Sequence, residues 1–121
     1  MKVAYSERAR RDIDDILDQS LGLFGDAQAR IYADLLKKAV ALAAEDPARP
    51  SSIDRSEFRP GLRSIHVKLA AGARRRASHQ IFYRVGRTAS GFSQLEILRV
   101  LHQSMDAGAH IAAGVSGLPP E

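Results

Sequence analysis

The chain has no cysteine among its 121 residues, so it can form neither a disulfide framework nor a thiolate metal site. Its four histidines are scattered and show no ligand spacing of the usual kind, so we expect no metal and no cofactor. The N-terminus lacks the apolar core of a signal peptide, and no apolar run approaches the about 20 residues that a membrane-spanning helix needs. We therefore expect a soluble, cytoplasmic protein.

Aromatic residues are also scarce, at 6% of the chain. No platform for stacking bases is evident, which disfavours sequence-specific reading of RNA or DNA. A helix-turn-helix with a basic recognition helix is disfavoured too, because both predicted helices carry acidic residues. A chain of this length is expected to form one domain.

Positive charge is what the second half of the chain has in excess. Residues 55–102 contain ten basic and two acidic side chains, a net charge of +8, whereas the whole chain carries only +4. A basic half opposite an acidic half predicts an anionic partner, either nucleic acid or an acidic protein segment. The alternative interpretation is a solvated charged face.

The first part of the chain reads as a strand followed by a helix. Residues 2–5 predict a short strand, and Ser6 predicts a helix N-cap for a first helix over residues 7–21. One face of that helix is apolar, with Ala9, Ile13, Ile16, Leu17 and Leu21. Charged side chains are expected to point away from the core, namely Arg8, Arg11, Asp12, Asp15 and Asp18.

A glycine-rich break then predicts a second helix. Gly22 suits the left-handed residue after a helix end, and Asp26 can cap a helix over residues 27–45. Because the connector is short, we expect an antiparallel helical hairpin. Pro47 and Pro50 end the helical part.

Strand patterns fill the rest of the ordered chain. Residues 62–69 alternate between apolar and polar side chains, which predicts a strand with one buried and one wet face. Residues 78–85 and 95–106 predict two further strands, joined by the turn-forming stretch 86–91. The tail 107–121 is rich in Gly, Ala and Pro, so at most a short stretch around residues 110–111 is expected to be ordered.

Several charged residues are candidates for binding. Arg84 and Arg99 lie among apolar neighbours and require an anionic partner, inside the protein or outside it. The loop residues 74–76 are three adjacent arginines, Arg74, Arg75 and Arg76, which are either solvated or contact an acidic partner or DNA phosphate.

The histidines have plainer interpretations. His102 reads most simply as a strand-end histidine bonded to backbone, and His66 as a surface residue. The pKa of His79 is expected to be lowered by its positive surroundings.

The order of these elements, together with Pro60-Gly-Leu-Arg-Ser64, His79-Gln-Ile-Phe-Tyr-Arg-Val85 and Ile97-Leu-Arg-Val-Leu-His102 ending in Met105-Asp106, resembles the ParE branch of the RelE/ParE toxin superfamily. The resemblance covers roughly residues 3–106, so we expect a toxin domain over residues 1–106 and a partly disordered tail over 107–121. It implies an α+β fold, in which an N-terminal strand and an antiparallel helical hairpin pack on a small antiparallel β-sheet.

The resemblance also implies a function. ParE-like members are toxins of type II toxin-antitoxin pairs that inhibit DNA gyrase and perform no chemistry of their own. Each is neutralised, as a hetero-oligomer, by a ParD-like antitoxin, whose acidic C-terminal segment could pair with the basic sheet. Candidate residues for binding the antitoxin or the target are Arg63, Arg74, Arg75, Arg76, Arg84, Arg99 and His102, together with the exposed side of the helical hairpin.

Two alternatives remain open. RelE-like members are ribosome-dependent mRNA endoribonucleases, which need a general base, a general acid and cations at the scissile phosphate. This chain has tyrosines only at positions 5, 32 and 83, and Lys68 is its only lysine after Lys38, which weighs against that activity. A reduced nuclease site would consist of Arg63, Arg84 and His102. The second alternative is a non-toxic basic binding domain.

Overall fold

The computed structural model describes residues 1–71 and 77–113. Within these ranges the chain forms strands and helices in the order β1 (Lys2–Tyr5), α1 (Glu7–Phe24), α2 (Asp26–Glu45), β2 (Ile53–Asp54), β3 (Arg63–His66), α3 (Lys68–Ala71), β4 (His79–Arg87), β5 (Ser93–His102) and α4 (Ala107–Ala113). None of the helices in these ranges is long and apolar enough to cross a lipid bilayer.

The five strands form one mixed sheet in the order β1-β5-β4-β3-β2. Strands β3, β4 and β5 pair antiparallel, as the strand patterns predicted, and β2 adds to β3 antiparallel, whereas β1 pairs parallel to β5 at the edge. The α+β fold class, with an N-terminal strand and a helical hairpin, is confirmed. The two-residue strand β2 was not predicted from the sequence, because so short a segment carries no periodic signal.

The helical hairpin begins as predicted and turns later than predicted. Ser6 is the N-cap of α1, and its hydroxyl accepts a hydrogen bond from the backbone N–H of Ala9. The predicted end at residues 21–22 is wrong, because α1 continues through Gly22 to Phe24. Gly25, with φ of 90°, ends α1 and is also the N-cap of α2. Asp26 is therefore the first residue of α2 and not its cap.

The hairpin packs on one face of the sheet and creates the main core. Its buried members include Leu35 and Ala39 of α2, Ile65 of β3 and Tyr83 of β4. The opposite face buries a smaller cluster of Leu62, Phe82, Leu98, Leu101 and Ile111. This second cluster brings α4 onto the sheet, so both faces of the central strands are covered.

Strand β3 is shorter than the alternating pattern predicted. It ends at His66, and Lys68 begins the short helix α3, so the expected strand over residues 62–69 is wrong in its second half. The expected wet face is also wrong at Ser64, which is fully buried and accepts a hydrogen bond from Arg55. Alternation of side chains cannot show that a loop covers the polar face.

The last predicted strand is also shorter in the structure. β5 ends at His102, so residues 103–106, which were predicted to extend it, lie outside the strand. The tail was expected to be ordered at most around residues 110–111. These residues belong to α4, and Ile111 is buried. Residues 114–121 of the tail lie outside the described part of the chain.

Candidate interaction surfaces

Arg99 finds its anionic partner inside the protein. Its guanidinium donates hydrogen bonds to both carboxylate oxygens of Asp12, at 2.7 and 3.0 Å, and to the backbone carbonyl of His110 at 2.9 Å. Asp12 also accepts from the backbone N–H of Val100. The expectation that Asp12 points away from the core is therefore wrong. With 3% of its surface exposed, Arg99 ties α1 and α4 to β5 and offers little surface to a partner.

Arg84 also has an internal partner, but it reaches the surface. Its Nε donates to Glu96 at 2.7 Å, and this carboxylate, which is fully buried, also accepts from Gln94. Gly86 lies against Glu96 so closely that a Cβ atom at position 86 would be 2.5 Å from the carboxylate. The glycine therefore makes room for the buried acid, and the acid orients the arginine.

Arg63 lies on the other side of the sheet from Arg84. Its guanidinium donates to the hydroxyl of Ser52, from Nε at 2.9 Å and from Nη2 at 2.8 Å. In β3 it shares the helix-facing side with Ile65, whereas in β4 Arg84 shares the opposite side with Phe82. The two arginines therefore do not converge on one point.

His102 is distant from both arginines. It pairs with His79, five residues before Arg84 along β4, which corresponds to about 16 Å at the rise of a strand. Its Nδ1 accepts a hydrogen bond from the backbone N–H of Ser104 at 3.1 Å, as expected for a strand-end histidine. The geometry does not bring the three residues of the reduced nuclease site together.

The surroundings of His79 perturb its pKa. Tyr32 Oη lies 2.6 Å from its Nδ1, and its ring packs edge-on against His102 with centroids 5.3 Å apart. Burial, followed by the positive charges that His102 and His66 can carry, lowers the pKa of His79 from 6.5 to about 4. The direction agrees with the sequence-based expectation, although burial contributes most.

An apolar groove opens beside this tyrosine-histidine pair. We call it the hairpin groove; it has a volume of about 580 Å³, and its lining includes Ile16, Leu23, Phe24, Tyr32, His79 and His102. Leu23 and Phe24 are 65% and 68% exposed, although both are large and apolar. Leu21, which was predicted to face the core, is also exposed. Leu23 and Phe24 were not identified from the sequence because Gly22 favoured an earlier end of α1, whereas the helix continues to Phe24.

The remaining sequence-based candidates are less constrained by the structure. Arg74, Arg75 and Arg76 lie outside the described residues, so their binding role stays a prediction. His66 lies near the surface, with Nε2 2.9 Å from the side-chain oxygen of Gln103. Within residues 1–71 and 77–113, no group of three histidine or acidic side chains could hold a metal ion.

Comparison with known proteins adds to this geometry. Residues 3–107 match the family described as ParE toxin of type II toxin-antitoxin system, parDE. The chain is 40% identical over 108 residues to Toxin ParE1 of Caulobacter vibrioides, an alignment that covers 88% of this chain and 93% of that relative. It is 35% identical over 106 residues to Toxin ParE1 of Mycobacterium tuberculosis, with the same coverage of 88% and 93%. The chain therefore belongs to the ParE family of toxins in type II toxin-antitoxin systems.

Proposed function

We propose that this toxin inhibits DNA gyrase in the cytoplasm by binding, without catalysis of its own, and that a ParD-like antitoxin neutralises it. The observation that carries the non-enzymatic part is the separation of Arg63, Arg84 and His102. Cleavage of RNA needs acid, base and cationic groups around one phosphate. In the described part of the chain Arg63 and Arg84 lie on opposite faces of the sheet, and His102 pairs with His79, five residues from Arg84 along β4.

Tyr83 and His79, two further residues that could serve acid-base chemistry, are engaged in structural contacts. Tyr83 is fully buried and donates its hydroxyl hydrogen bond to the carbonyl of Pro47 at 2.7 Å. His79, with a pKa of about 4, is neutral at physiological pH and is a weak base. These contacts favour a binding function over the RelE-like endoribonuclease.

The hairpin groove is the surface that best fits the antitoxin. An amphipathic antitoxin segment could place apolar side chains on Leu23 and Phe24, whose exposure is unfavourable in the free toxin. Among the described residues that line the groove there is no arginine or lysine, so the basic side chains of residues 55–102 would pair with an acidic segment outside the groove. Of the predicted contacts, His102 lines the groove itself, and Arg63 is partly exposed on β3.

A reconstituted assay tests both parts of the proposal. Purified toxin, free of antitoxin, should block supercoiling by gyrase and accumulate cleaved DNA, and added antitoxin should restore supercoiling. The same toxin should leave mRNA intact on translating ribosomes. Codon-dependent cuts in mRNA together with unaffected gyrase would instead assign the RelE-like activity.

A further inference from the structure

The tip of the helical hairpin exposes apolar side chains directly beside a recess. Leu23 and Phe24, at the end of α1, are 65% and 68% exposed. Both also line the hairpin groove, so one continuous patch contains two exposed apolar side chains and a recess of about 580 Å³. Such a patch is unfavourable in water and is typical of an interface.

The recess is already formed in the isolated chain. The Tyr32 hydroxyl accepts a hydrogen bond from the backbone N–H of Ser78 at 3.3 Å and lies 2.6 Å from Nδ1 of His79. Gly25 closes the turn between α1 and α2 by donating its N–H to the carbonyl of Leu21 at 3.0 Å. A partner that binds here would therefore lose little free energy to ordering of the groove.

The hairpin groove carries no permanent charge, which favours a second copy of this chain over an acidic segment. Among the described residues that line it there is no aspartate, glutamate, lysine or arginine. In a symmetric dimer each side chain near the twofold axis faces the same side chain of the other copy, so a charge at this position would repel its own copy. The polar lining residues include Gln19, Ser20 and Gln28, whose amides and hydroxyl both donate and accept hydrogen bonds and can pair with themselves.

The same helix face supplies both halves of a self-complementary contact. Ile16, Ser20 and Phe24 all line the groove and follow one another at intervals of four residues, which places them along one side of α1. The two outer residues are about 12 Å apart along the helix axis. If α1 lies antiparallel to α1 of a second copy, with the twofold axis near Ser20, Phe24 of each copy meets Ile16 of the other.

We propose that the toxin without antitoxin forms a symmetric dimer through the hairpin groove, in which Leu23 and Phe24 of each copy pack into the groove of the other. Twelve residues line the groove, fewer than the about 20–30 that a standard interface uses on each side. The dimer is therefore weak, with a dissociation constant in the micromolar range. The antitoxin segment that we assign to the same groove would displace the second copy, but the dimer depends neither on that assignment nor on gyrase as the target.

Sedimentation equilibrium of the purified full chain, free of antitoxin, tests the dimer over about 5–500 µM. Leu23→Ser/Phe24→Ser changes the groove, and Leu21→Ser/Ile53→Ser makes the same kinds of change at exposed apolar positions that do not line it. We expect the unmodified chain and the second variant to approach twice the monomer mass as concentration rises. The first variant should dimerise with a dissociation constant at least about tenfold higher.

Salt provides a second readout. Two copies, each with a net charge of +4, repel each other, and a contact without charged side chains offers no opposite charges to compensate. Raising NaCl from about 0.05 to 0.5 M should therefore lower the dissociation constant of the dimer or leave it unchanged. Binding of an acidic antitoxin segment to the basic side chains should instead weaken.

Each result decides the inference. A monomer at every concentration, equal weakening by both double variants, or a dimer that dissociates as salt is raised would overturn it. Loss of the dimer by Leu23→Ser/Phe24→Ser with unchanged antitoxin binding would support the dimer and reject the groove as the antitoxin site. Loss of antitoxin binding by this variant, when the unmodified chain forms no dimer, would assign the groove to the antitoxin alone. If the double variant does not fold, Phe24→Ala replaces it, with Leu21→Ala as its control.

Discussion

Asp12 and Arg99 lie 87 residues apart in the sequence and form an ion pair that is almost fully buried. Asp12 also accepts a hydrogen bond from the backbone N–H of Val100, a residue of β5 beyond the stretch that pairs with β1. Neither partner can be removed alone without leaving the other charge, or a backbone donor, in a dry environment.

We expect Asp12→Ala to lower the free energy of unfolding by about 3 kcal/mol, because Arg99 would stay buried without its carboxylate. Urea denaturation at neutral pH measures the change. Asp34→Ala, which breaks the exposed ion pair with Lys38, is the control and should cost less than about 1 kcal/mol. Equal losses for the two variants would show that Asp12 is not held in the buried pair.

His79 should make stability depend on pH. Its pKa is about 4 in the folded chain and 6.5 when unperturbed, so between these values the unfolded state binds the additional proton. The free energy of unfolding should therefore fall as pH decreases from 6.5 towards 4. Since the ring is only half-buried, we expect a loss of about 1–2 kcal/mol, less than the whole shift implies.

Comparing variants separates the contribution of His79 to the pH dependence from that of carboxylates, which titrate over a similar pH range. His79→Gln should flatten the decrease in unfolding free energy between pH 6.5 and 4, whereas His66→Gln should retain it. Denaturation curves at several pH values provide the measurement. An unchanged slope in His79→Gln would mean that the ring protonates as freely in the folded chain as in the unfolded one.

At the scale of the element, three glycines have different roles that the sequence does not distinguish. Gly22 lies inside α1 with open space where a Cβ would be, and Gly25 turns the chain with its positive φ. Gly86 lies in β4 against the Glu96 carboxylate. The sequence favoured Gly22 as the helix end, because local rules place any glycine after an apolar face at that position.

These roles predict opposite effects of the same substitution. Gly22→Ala should stabilise the chain by about 1 kcal/mol, since alanine favours a helix interior. Gly86→Ala should destabilise it by about 1–3 kcal/mol, because the added carbon overpacks against the buried carboxylate. Thermal unfolding of both variants checks the pair. Destabilisation by Gly22→Ala would contradict the continuous α1 helix.

Apart from the end of α1, the ends of helices and strands were predicted best where a local contact determines them. The N-cap at Ser6 was correct because the capping bond reaches only three residues, to Ala9. The ends of β3 and β5 were not, because alternation continues past His66 to Leu69, and no glycine or proline marks a break directly after His102. A strand ends where its neighbours stop offering hydrogen bonds, and those neighbours are distant in sequence.

At the scale of the whole molecule, the two ends of the long strands β4 and β5 expose different side chains. The hairpin groove lies where β5 ends, and Phe92 and Val85 are exposed near the turn that precedes β5. The two clusters on the sheet faces leave these large apolar side chains uncovered.

Local patterns in the sequence were enough to predict the fold class, the order of the main elements and the resemblance to the ParE family, because helical periodicity, strand composition and short motifs are local properties. It also showed that Arg84 and Arg99 need anionic partners. The packing of the folded chain was needed to identify Glu96 and Asp12 as those partners and to show that Leu23, Phe24 and Phe92 remain exposed. Pairing of buried charges and exposure of apolar side chains depend on which distant segments pack together, and no local pattern records that.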